Sequence, residues 1–297
     1  YADTIRLGGI ELWFSDGTEN GTKPININNQ SYRIYNPIGG QFEEKKYNDT
    51  YIASGSSFPK ELTTFGDKLY FTANDGVSGF ELWSVLNNGT EAKQFKDIHP
   101  TASSTPKDLT VVGSNLYFTA DNGNGRLLYI LKAGSESPEP VRNSGEKPKD
   151  LTEIADSLFY SAISNKGREL WTANGLKATE IQDINPGIAS SNPSEFKLIV
   201  GTKNGKESKR LYFSANDGER GVELWEKDLT SNNPKATRSA DIFSGPSSSD
   251  PRKLINAEER LFFTSDNGRS GRELWTIGPA IKGPNGGLGA GSSRIKV

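Results

Sequence analysis

The chain has 297 residues and nearly balanced charge, with 35 basic residues, 37 acidic residues and a formal net charge of −2. Because these charges are interspersed, the sequence lacks the basic stripe of nucleic-acid-binding proteins, and no apolar run reaches the length of a membrane span. The absence of cysteine excludes disulfides, thiolate metal sites and cysteine nucleophiles.

A short phrase of glutamate, leucine and an aromatic residue recurs six times along the chain. Successive aromatic residues lie 42 to 70 positions apart, which is the range of propeller and array repeats. All five tryptophans occupy the aromatic position, and Tyr129 takes it in the third copy. The copies are residues 11–13, 81–83, 127–129, 169–171, 223–225 and 273–275.

From the second copy onward, the phrase belongs to a longer unit that begins with a proline. A run of aromatic and β-branched residues, such as 69–73, follows the proline and ends at Asn, Asp and Gly residues that suit tight hairpin turns. We predict four strands per unit, with the fourth clearest at 93–98, 179–184 and 237–242. The prolines are Pro59, Pro106, Pro148, Pro193 and Pro251.

Four strands repeating every 45 to 50 residues or so predict an all-β fold, a β-propeller of four-stranded blades around a channel. Residues 9–28 supply only a third and a fourth strand, and the last unit stops after its third strand. We therefore predict one domain over residues 1–297, with six blades and a ring closed by pairing of the two chain ends. A five-bladed ring and a stacked solenoid are the alternatives.

Three segments depart from the repeat. Residues 29–57 form an irregular insertion, residues 278–297 form a Gly-, Pro- and Ser-rich tail that could contribute to ring closure, and residues 202–208 replace a tight turn. Function concentrates in loops on a rigid scaffold. We therefore expect a binding function first in 29–57 and 202–208.

Residues 11–18 read Glu-Leu-Trp-Phe-Ser-Asp-Gly-Thr and match in full the Glu-Leu-Trp-x-x-Asp-Gly-Thr motif of a family of bacterial repeat proteins. The Asp-Ile-x-Pro segments at 97–100 and 183–186 also resemble that family. The resemblance implies propeller-like repeats in a secreted or cell-surface protein, and the lack of cysteine agrees with that location. The later copies lack Asp-Gly-Thr, so the full motif is present at 11–18 alone.

Catalytic constellations are weak in this sequence. His99 is the single histidine and occupies the position that Asn185 holds in the equivalent segment, so we interpret it as a turn residue. Two carboxylates would suffice for a glycosidase. The Ser-x-Asp-x-Gly-x-Thr-Trp box of sialidases is rejected at 15–18 because Trp13 precedes it. We expect a protein that is not an enzyme.

The recurrent phrase itself supplies candidate ligand-binding residues. Glutamate and the aromatic residue two positions later share a strand face, which suits either a sugar site or a structural contact between blades. Recurrence in every unit favours the structural interpretation. The candidates are Trp13, Trp83, Trp171, Trp225, Trp275, Glu81, Glu169 and Glu223.

Aspartates in turns are candidate ligands for Ca²⁺, which prefers six to eight oxygen atoms. Strand polarity places these turns on one rim of a propeller. Asp side chains more commonly cap turns by accepting hydrogen bonds from local amides, and that is the alternative. The candidates are Asp75, Asp97, Asp121, Asp183, Asp217, Asp241 and Asp266.

Together these features predict a non-enzymatic binding or scaffold domain that contacts a glycan or an extracellular protein through one rim. An extracellular glycoside hydrolase or polysaccharide lyase with channel-facing carboxylates is the second hypothesis. A structural segment of an adhesin or a surface layer is the third.

Overall fold

The computed structural model describes residues 10–25, 27, 33–36, 41–44, 56–203, 206–233 and 235–278. All regular elements in these residues are β-strands, which confirms the all-β prediction. Within the same residues no helix is long and apolar enough to cross a membrane.

The first strands of the chain form two hairpins, β1 with β2 and β3 with β4. Their bounds are Leu12–Phe14 (β1), Lys23–Ile25 (β2), Arg33–Asn36 (β3) and Gln41–Glu44 (β4). The first hairpin matches the third and fourth strands predicted for residues 9–28. Most of the predicted insertion and nearly all of the predicted tail lie outside the described residues.

Two four-stranded antiparallel sheets follow, each in simple sequence order. Sheet 1 contains β5 (Lys60–Phe65), β6 (Lys68–Asn74), β7 (Phe80–Leu86) and β8 (Lys93–Gln94). Sheet 2 contains β9 (Lys107–Val112), β10 (Asn115–Asp121), β11 (Arg126–Lys132) and β12 (Glu139–Pro140).

Three more sheets complete the described part of the chain. Sheet 3 contains β13 (Glu146–Ile154), β14 (Ser157–Ser164), β15 (Gly167–Asn174) and β16 (Lys177–Gln182). Sheet 4 contains β17 (Ser194–Lys203), β18 (Lys206–Asn216), β19 (Val222–Asp228) and β20 (Thr237–Ala240). Sheet 5 has three strands, β21 (Arg252–Ala257), β22 (Arg260–Asp266) and β23 (Arg272–Ile277).

The four-strand unit predicted from the sequence is therefore confirmed in sheets 1 to 4, and the described residues contain three strands of sheet 5. The predicted fourth strands exist but end earlier than expected. β8 stops at Gln94 and β20 at Ala240, because in the Asp-Ile pair beyond each strand the isoleucine N–H donates to the recurrent glutamate and not to the neighbouring strand. The Gly of each predicted Asn/Asp-Gly turn has the positive φ that such a turn requires, as at Gly76 and Gly218.

Each first strand of sheets 1 to 5 carries a bulge beside its proline. The residue before the proline and the residue two positions after it both have positive φ, although none of them is glycine. The strand pairing shifts register at the same place in every sheet. The second of these two residues is Glu61, Asp108, Asp150, Glu195 or Lys253.

By residue contacts the chain divides into two compact units, Tyr1–Pro140 and Val141–Val297. In the first unit, Phe71 and Ala73 of sheet 1 pack with Leu12 and Ile25 of the β1–β2 hairpin. Tyr70, on the opposite face, packs with residues of sheet 2. Both faces of sheet 1 are thus buried, as the alternation in 69–73 predicts, and β5 contacts β9.

The second unit repeats this arrangement. Phe213 on one face of sheet 4 packs with Phe159 of sheet 3, whereas Tyr212 on the other face packs with Leu261 and Phe263 of sheet 5. The first strands lie side by side, since β17 contacts both β13 and β21. Stacked sheets whose first strands adjoin are the arrangement of propeller blades.

Candidate functional site

The recurrent glutamate is buried and accepts three hydrogen bonds. In Glu169, Oε1 accepts the backbone N–H of Ser191 at 3.0 Å. Its Oε2 accepts the Ser191 hydroxyl at 2.6 Å and the backbone N–H of Ile184 at 2.8 Å. We call this set the carboxylate clamp, because it ties the third strand to the segment that leads into the next sheet.

The carboxylate clamp recurs with the same atoms in other sheets. Glu223 accepts the Ser249 N–H at 3.0 Å, its hydroxyl at 2.7 Å and the Ile242 N–H at 2.9 Å. Further copies join Glu81 to Ser104 and Ile98, and Glu11 to Ser57. In each copy the serine stands two residues before the proline that opens the next unit.

Burial dominates the electrostatics of the clamp. Desolvation raises the pKa of Glu81, Glu169 and Glu223 above the ordinary value, and the hydrogen bonds from serine and isoleucine only partly oppose that rise. The neighbouring aspartate of each Asp-Ile pair adds to the rise. These contacts support the structural interpretation of the glutamates, and ligand binding by them stays a prediction.

The third copy of the phrase has no such acceptor, because Leu127 stands where the other copies have glutamate. The serine that precedes the next unit, Ser144, is buried there, and its carbonyl accepts the Tyr160 hydroxyl at 3.1 Å. Sheet 2, to which Leu127 belongs, is the last sheet before the boundary between the two units.

The tryptophans of the phrase pack mainly in the cores. Trp83 lies in the cluster of sheet 1 and the β1–β2 hairpin, and Trp225 lies in the cluster of sheets 3 and 4. The indole N–H groups of Trp171, Trp225 and Trp275 donate to backbone carbonyls at 3.0 to 3.1 Å. Trp13 differs, since half of its surface is exposed.

The predicted calcium ligands of the hairpin turns cap their own turns. Asp75 accepts the N–H groups of Val77 and Ser78 at 2.8 Å, and Asp121 and Asp266 each accept the N–H of the glycine two positions later. Asp217 accepts two turn amides and also the Arg238 guanidinium at 2.6 Å. These contacts are the turn capping that the sequence offered as the alternative.

The aspartates of the Asp-Ile pairs lie beside the carboxylate clamps. Asp241 accepts the Arg220 guanidinium at 2.6 Å, while its Oδ1 and that of Asp183 are buried without a hydrogen-bond partner. Asp97 contributes charge near Glu81. In the described residues no three metal-ligating side chains converge, so calcium binding stays a prediction.

His99 is part of a turn, as its position in the repeat indicates. Its Nδ1 accepts the backbone N–H of Thr101 at 3.3 Å, and its ring lies against Gly123 of the neighbouring turn. These contacts agree with the interpretation of His99 as a turn residue.

The first strands of the second unit border an open cavity of about 280 Å³. Asp150 and Thr152 of β13 line it together with Glu195 and Lys197 of β17. The carboxylates of Asp150 and Glu195 are exposed, because the bulges of the first strands set these two residues in positive φ. The sequence analysis missed these residues, and their constant position two residues after the proline is the signal that could have identified them.

A second cavity, of about 200 Å³, lies where the β17–β18 hairpin extends beyond the other hairpins of the repeat. The hairpin contributes Thr202, Ser208, Arg210 and Tyr212, and sheet 5 contributes Glu259 and Ile277. Residues 202–208 were expected to interrupt a tight turn. They instead extend the two strands by pairing Thr202 with Glu207.

The Arg210 charge in this second cavity is paired. Arg210 donates to Glu226 at 2.8 Å and lies 3.9 Å from Asp228, and its Nε–H donates to the Ser208 hydroxyl at 3.4 Å. Burial raises the pKa of Tyr212 far above its ordinary value, and the hydrogen-bonded carboxylate of Glu226 raises it further. The Tyr212 hydroxyl therefore stays protonated and fixed.

No protein-family model and no curated protein matches the sequence. Among solved structures, one from a study of two prolyl endopeptidases has a TM-score of 0.50 at 10% identity, covering 80% of this chain and 36% of that chain. The putative TolB of Agrobacterium tumefaciens has a TM-score of 0.42 at 10% identity, over 75% and 77% of the two chains. A puromycin-hydrolyzing peptidase of Mycobacterium tuberculosis has a TM-score of 0.43 at 12% identity, over 78% and 38%.

The similarity to the prolyl endopeptidase structure concerns the fold alone. It supports the repeated-sheet, propeller-type architecture that the sequence predicts. This chain spans about a third of that protein's length, so the similarity transfers no activity or substrate.

Proposed function

We propose that this chain is a non-enzymatic binding or scaffold propeller that recognises a glycan or an extracellular protein through one rim. The observation that carries this proposal is the use of the recurrent polar residues in structural contacts: the glutamates form carboxylate clamps and the hairpin aspartates cap turns. The polar cavity at the lengthened β17–β18 hairpin then supplies a surface that the repeat itself does not use.

The finer features of the fold belong to the same proposal. Six blades, with a ring closed by the two ends of the chain, account for the two strands of the β1–β2 hairpin and the three strands of sheet 5 that the described residues contain. Membership of the Glu-Leu-Trp-x-x-Asp-Gly-Thr family and a secreted or cell-surface location rest on residues 11–18 and on the absence of cysteine.

A glycan array combined with a polysaccharide turnover assay tests the proposed function. Binding to a defined group of glycans or to an extracellular protein, without release of reducing ends or unsaturated products, is the expected result. Cleavage of any polysaccharide by the purified chain would contradict it.

An extracellular glycoside hydrolase or lyase is the second candidate, and one observation favours it. Asp150 and Glu195 are exposed carboxylates on neighbouring first strands and line one cavity. A pair of carboxylates at a sugar is the minimum that glycoside hydrolysis requires. Turnover that is lost in both Asp150→Asn and Glu195→Gln would establish this candidate.

A further inference from the structure

The β17–β18 hairpin is the one first hairpin of sheets 1 to 5 that the sequence lengthens, and the cavity lies at its extended part. β17 and β18 have 10 and 11 residues, whereas β5 and β6 have 6 and 7. The extension lies close to Glu259 of sheet 5 at Gly201, because a Cβ added to Gly201 would stand 3.5 Å from the Glu259 side chain. The repeat does not need this extension for stacking.

We propose that this cavity is a carbohydrate site for one neutral pyranose unit, held by the Tyr212–Glu226–Arg210–Ser208 network. This proposal rests on the proposed binding function and names its ligand class and its location.

The size of the cavity suits a single sugar ring. Its volume of about 200 Å³ is below the roughly 300–1,000 Å³ of sites for drug-sized ligands. The cavity is open on one side, so the neighbouring units of an oligosaccharide would extend into solvent. A terminal or side-chain monosaccharide is the fragment that fits this shape.

The charges of the cavity favour a neutral ligand. The Arg210 guanidinium already donates to Glu226 at 2.8 Å and lies near Asp228, so little positive charge is left for a phosphate or a sulfate. An organic cation would find no open aromatic face, since Tyr212 is only 5% exposed, and could pair only with the Glu259 carboxylate at the exposed wall. Hydroxyl groups can bond to that carboxylate and to the hydroxyls of Thr202 and Ser208, so a neutral polyhydroxyl ligand uses all of these groups.

The walls of the cavity present both kinds of surface that a pyranose has. Ile199 and Ile277 form an apolar wall for the C–H face of the ring. The hydroxyls of Thr202 and Ser208 and the carboxylate of Glu259 lie around it and match the ring's hydroxyl groups.

The repeat provides a matched pair of variants for the test. Tyr212→Phe removes the hydroxyl from the network, and the aligned position is phenylalanine in two other units, at Phe159 and Phe262. Tyr117→Phe makes the same change at the aligned position of sheet 2, which is buried outside the cavity. Glu259→Ala changes an exposed wall residue and is a second variant should Tyr212→Phe fail to fold.

Saturation-transfer NMR and titration calorimetry with D-glucose, D-galactose, D-mannose and N-acetyl-D-glucosamine test the site, with inorganic phosphate and tetramethylammonium as charged probes. We expect at least one sugar to bind and neither charged probe to bind. Tyr212→Phe and Glu259→Ala should each weaken the affinity for that sugar by about tenfold, which is the scale of one lost hydrogen bond. Tyr117→Phe should leave the affinity unchanged.

Two outcomes would overturn the site. The first is the absence of binding by all four sugars, or binding of a charged probe in their place. The second is glycan binding that persists unchanged in Tyr212→Phe and Glu259→Ala, which would leave the proposed binding function intact and move it elsewhere on the chain. Polysaccharide turnover, in contrast, would refute the proposed function itself.

Discussion

A buried carboxylate is tolerated in this chain because several donors converge on it. Glu169 is fully buried and accepts hydrogen bonds from two backbone amides and one hydroxyl. Removing the acceptor would leave the Ile184 N–H inside the protein without a partner, and the Ser191 N–H and hydroxyl would keep only their bonds to the Arg168 carbonyl. The clamp therefore makes each glutamate much more important for stability than an exposed residue of the same type.

We predict that Glu169→Ala lowers the free energy of unfolding by about 2–5 kcal/mol, because it leaves the buried Ile184 N–H unpaired, removes the stronger acceptor of Ser191 and opens a cavity. Glu169→Gln keeps one acceptor oxygen and should cost less. Glu146→Ala, at an exposed position of the same sheet, is the control and should change stability by less than about 0.5 kcal/mol. Urea unfolding measures all three, and equal losses for Glu169→Ala and Glu146→Ala would contradict the role of the clamp.

The clamps also predict a pH dependence. Burial raises the pKa of Glu169 in the folded state, so the folded protein holds this proton more tightly than the unfolded chain. Its stabilising contribution is complete below the unfolded pKa of about 4.5 and is lost as pH rises through the higher folded pKa. The cost of Glu169→Gln should therefore be largest in acid and should shrink as pH rises.

Urea midpoints of the wild-type protein and Glu169→Gln between pH 4 and pH 7 check this dependence. The difference between the two proteins isolates Glu169 from carboxyls of opposite behaviour, such as Asp16 and Asp228, whose pKa is lowered by hydrogen bonds from threonine. If the stability cost of Glu169→Gln instead grows with pH, the hydrogen bonds from the three donors lower the pKa of Glu169 by more than burial raises it.

The sequence identified the glutamates as structural but did not identify their partners. Ser191 lies 22 positions beyond Glu169, and only the folded connection between sheets brings the two together. A serine stands two residues before four of the five prolines that open the units. The sequence could not show that the Ile184 N–H and the Ser191 hydroxyl both donate to Oε2 of Glu169, because that depends on the geometry of the turn.

At the scale of single elements, the first strands carry the least expected feature of the fold. A non-glycine residue in the left-handed region costs on the order of 1 kcal/mol, yet two of them flank the proline at the start of every first strand of sheets 1 to 5. The spacing of alternating side chains predicts straight strands and gives no sign of a bulge. The bulge lies where the segment after each clamp serine joins the first strand, so its geometry is set by the tertiary contacts of the clamp and not by the local sequence.

The bulge gives a prediction at Lys253, which has a φ of 55° and an exposed side chain. A β-branched residue is least compatible with positive φ, so Lys253→Val should lower the unfolding free energy by about 1–2 kcal/mol. Lys253→Asn should preserve or slightly raise it. Lys107→Val, in a first strand at an exposed position outside the positive-φ pairs, is the control.

Thermal unfolding of these three variants provides the measurement. Equal effects of valine at positions 253 and 107 would show that the backbone relaxes freely at the bulge. A larger loss at Lys253 would confirm that the register shift in each first strand is imposed by the surrounding structure.

At the scale of the whole molecule, the repeat predicted the sheets and their two-sided burial, because apolar residues alternate on both faces of each second strand. The lengthened hairpin shows what the repeat could not predict. Residues 202–208 were recognised as extra to the repeat, but the pairing of Thr202 with Glu207 and the cavity shared with sheet 5 became visible only in the structure. Ring closure rests on the chain ends, where the repeat is incomplete.

Ring closure gives a last prediction, and the absence of cysteine allows a clean test. If residues 9–28 share a sheet with β23, spin labels at Thr22→Cys and Arg272→Cys, both exposed, should give one short distance, set by a few strand spacings of about 4.8 Å and the labels themselves. The pair Glu153→Cys and Lys177→Cys, at exposed and nearly level positions on the two outer strands of sheet 3, calibrates that scale. A long or broad distance for the first pair, beside a short one for the control, would favour the stacked solenoid, because only a ring requires the first and last repeats to meet.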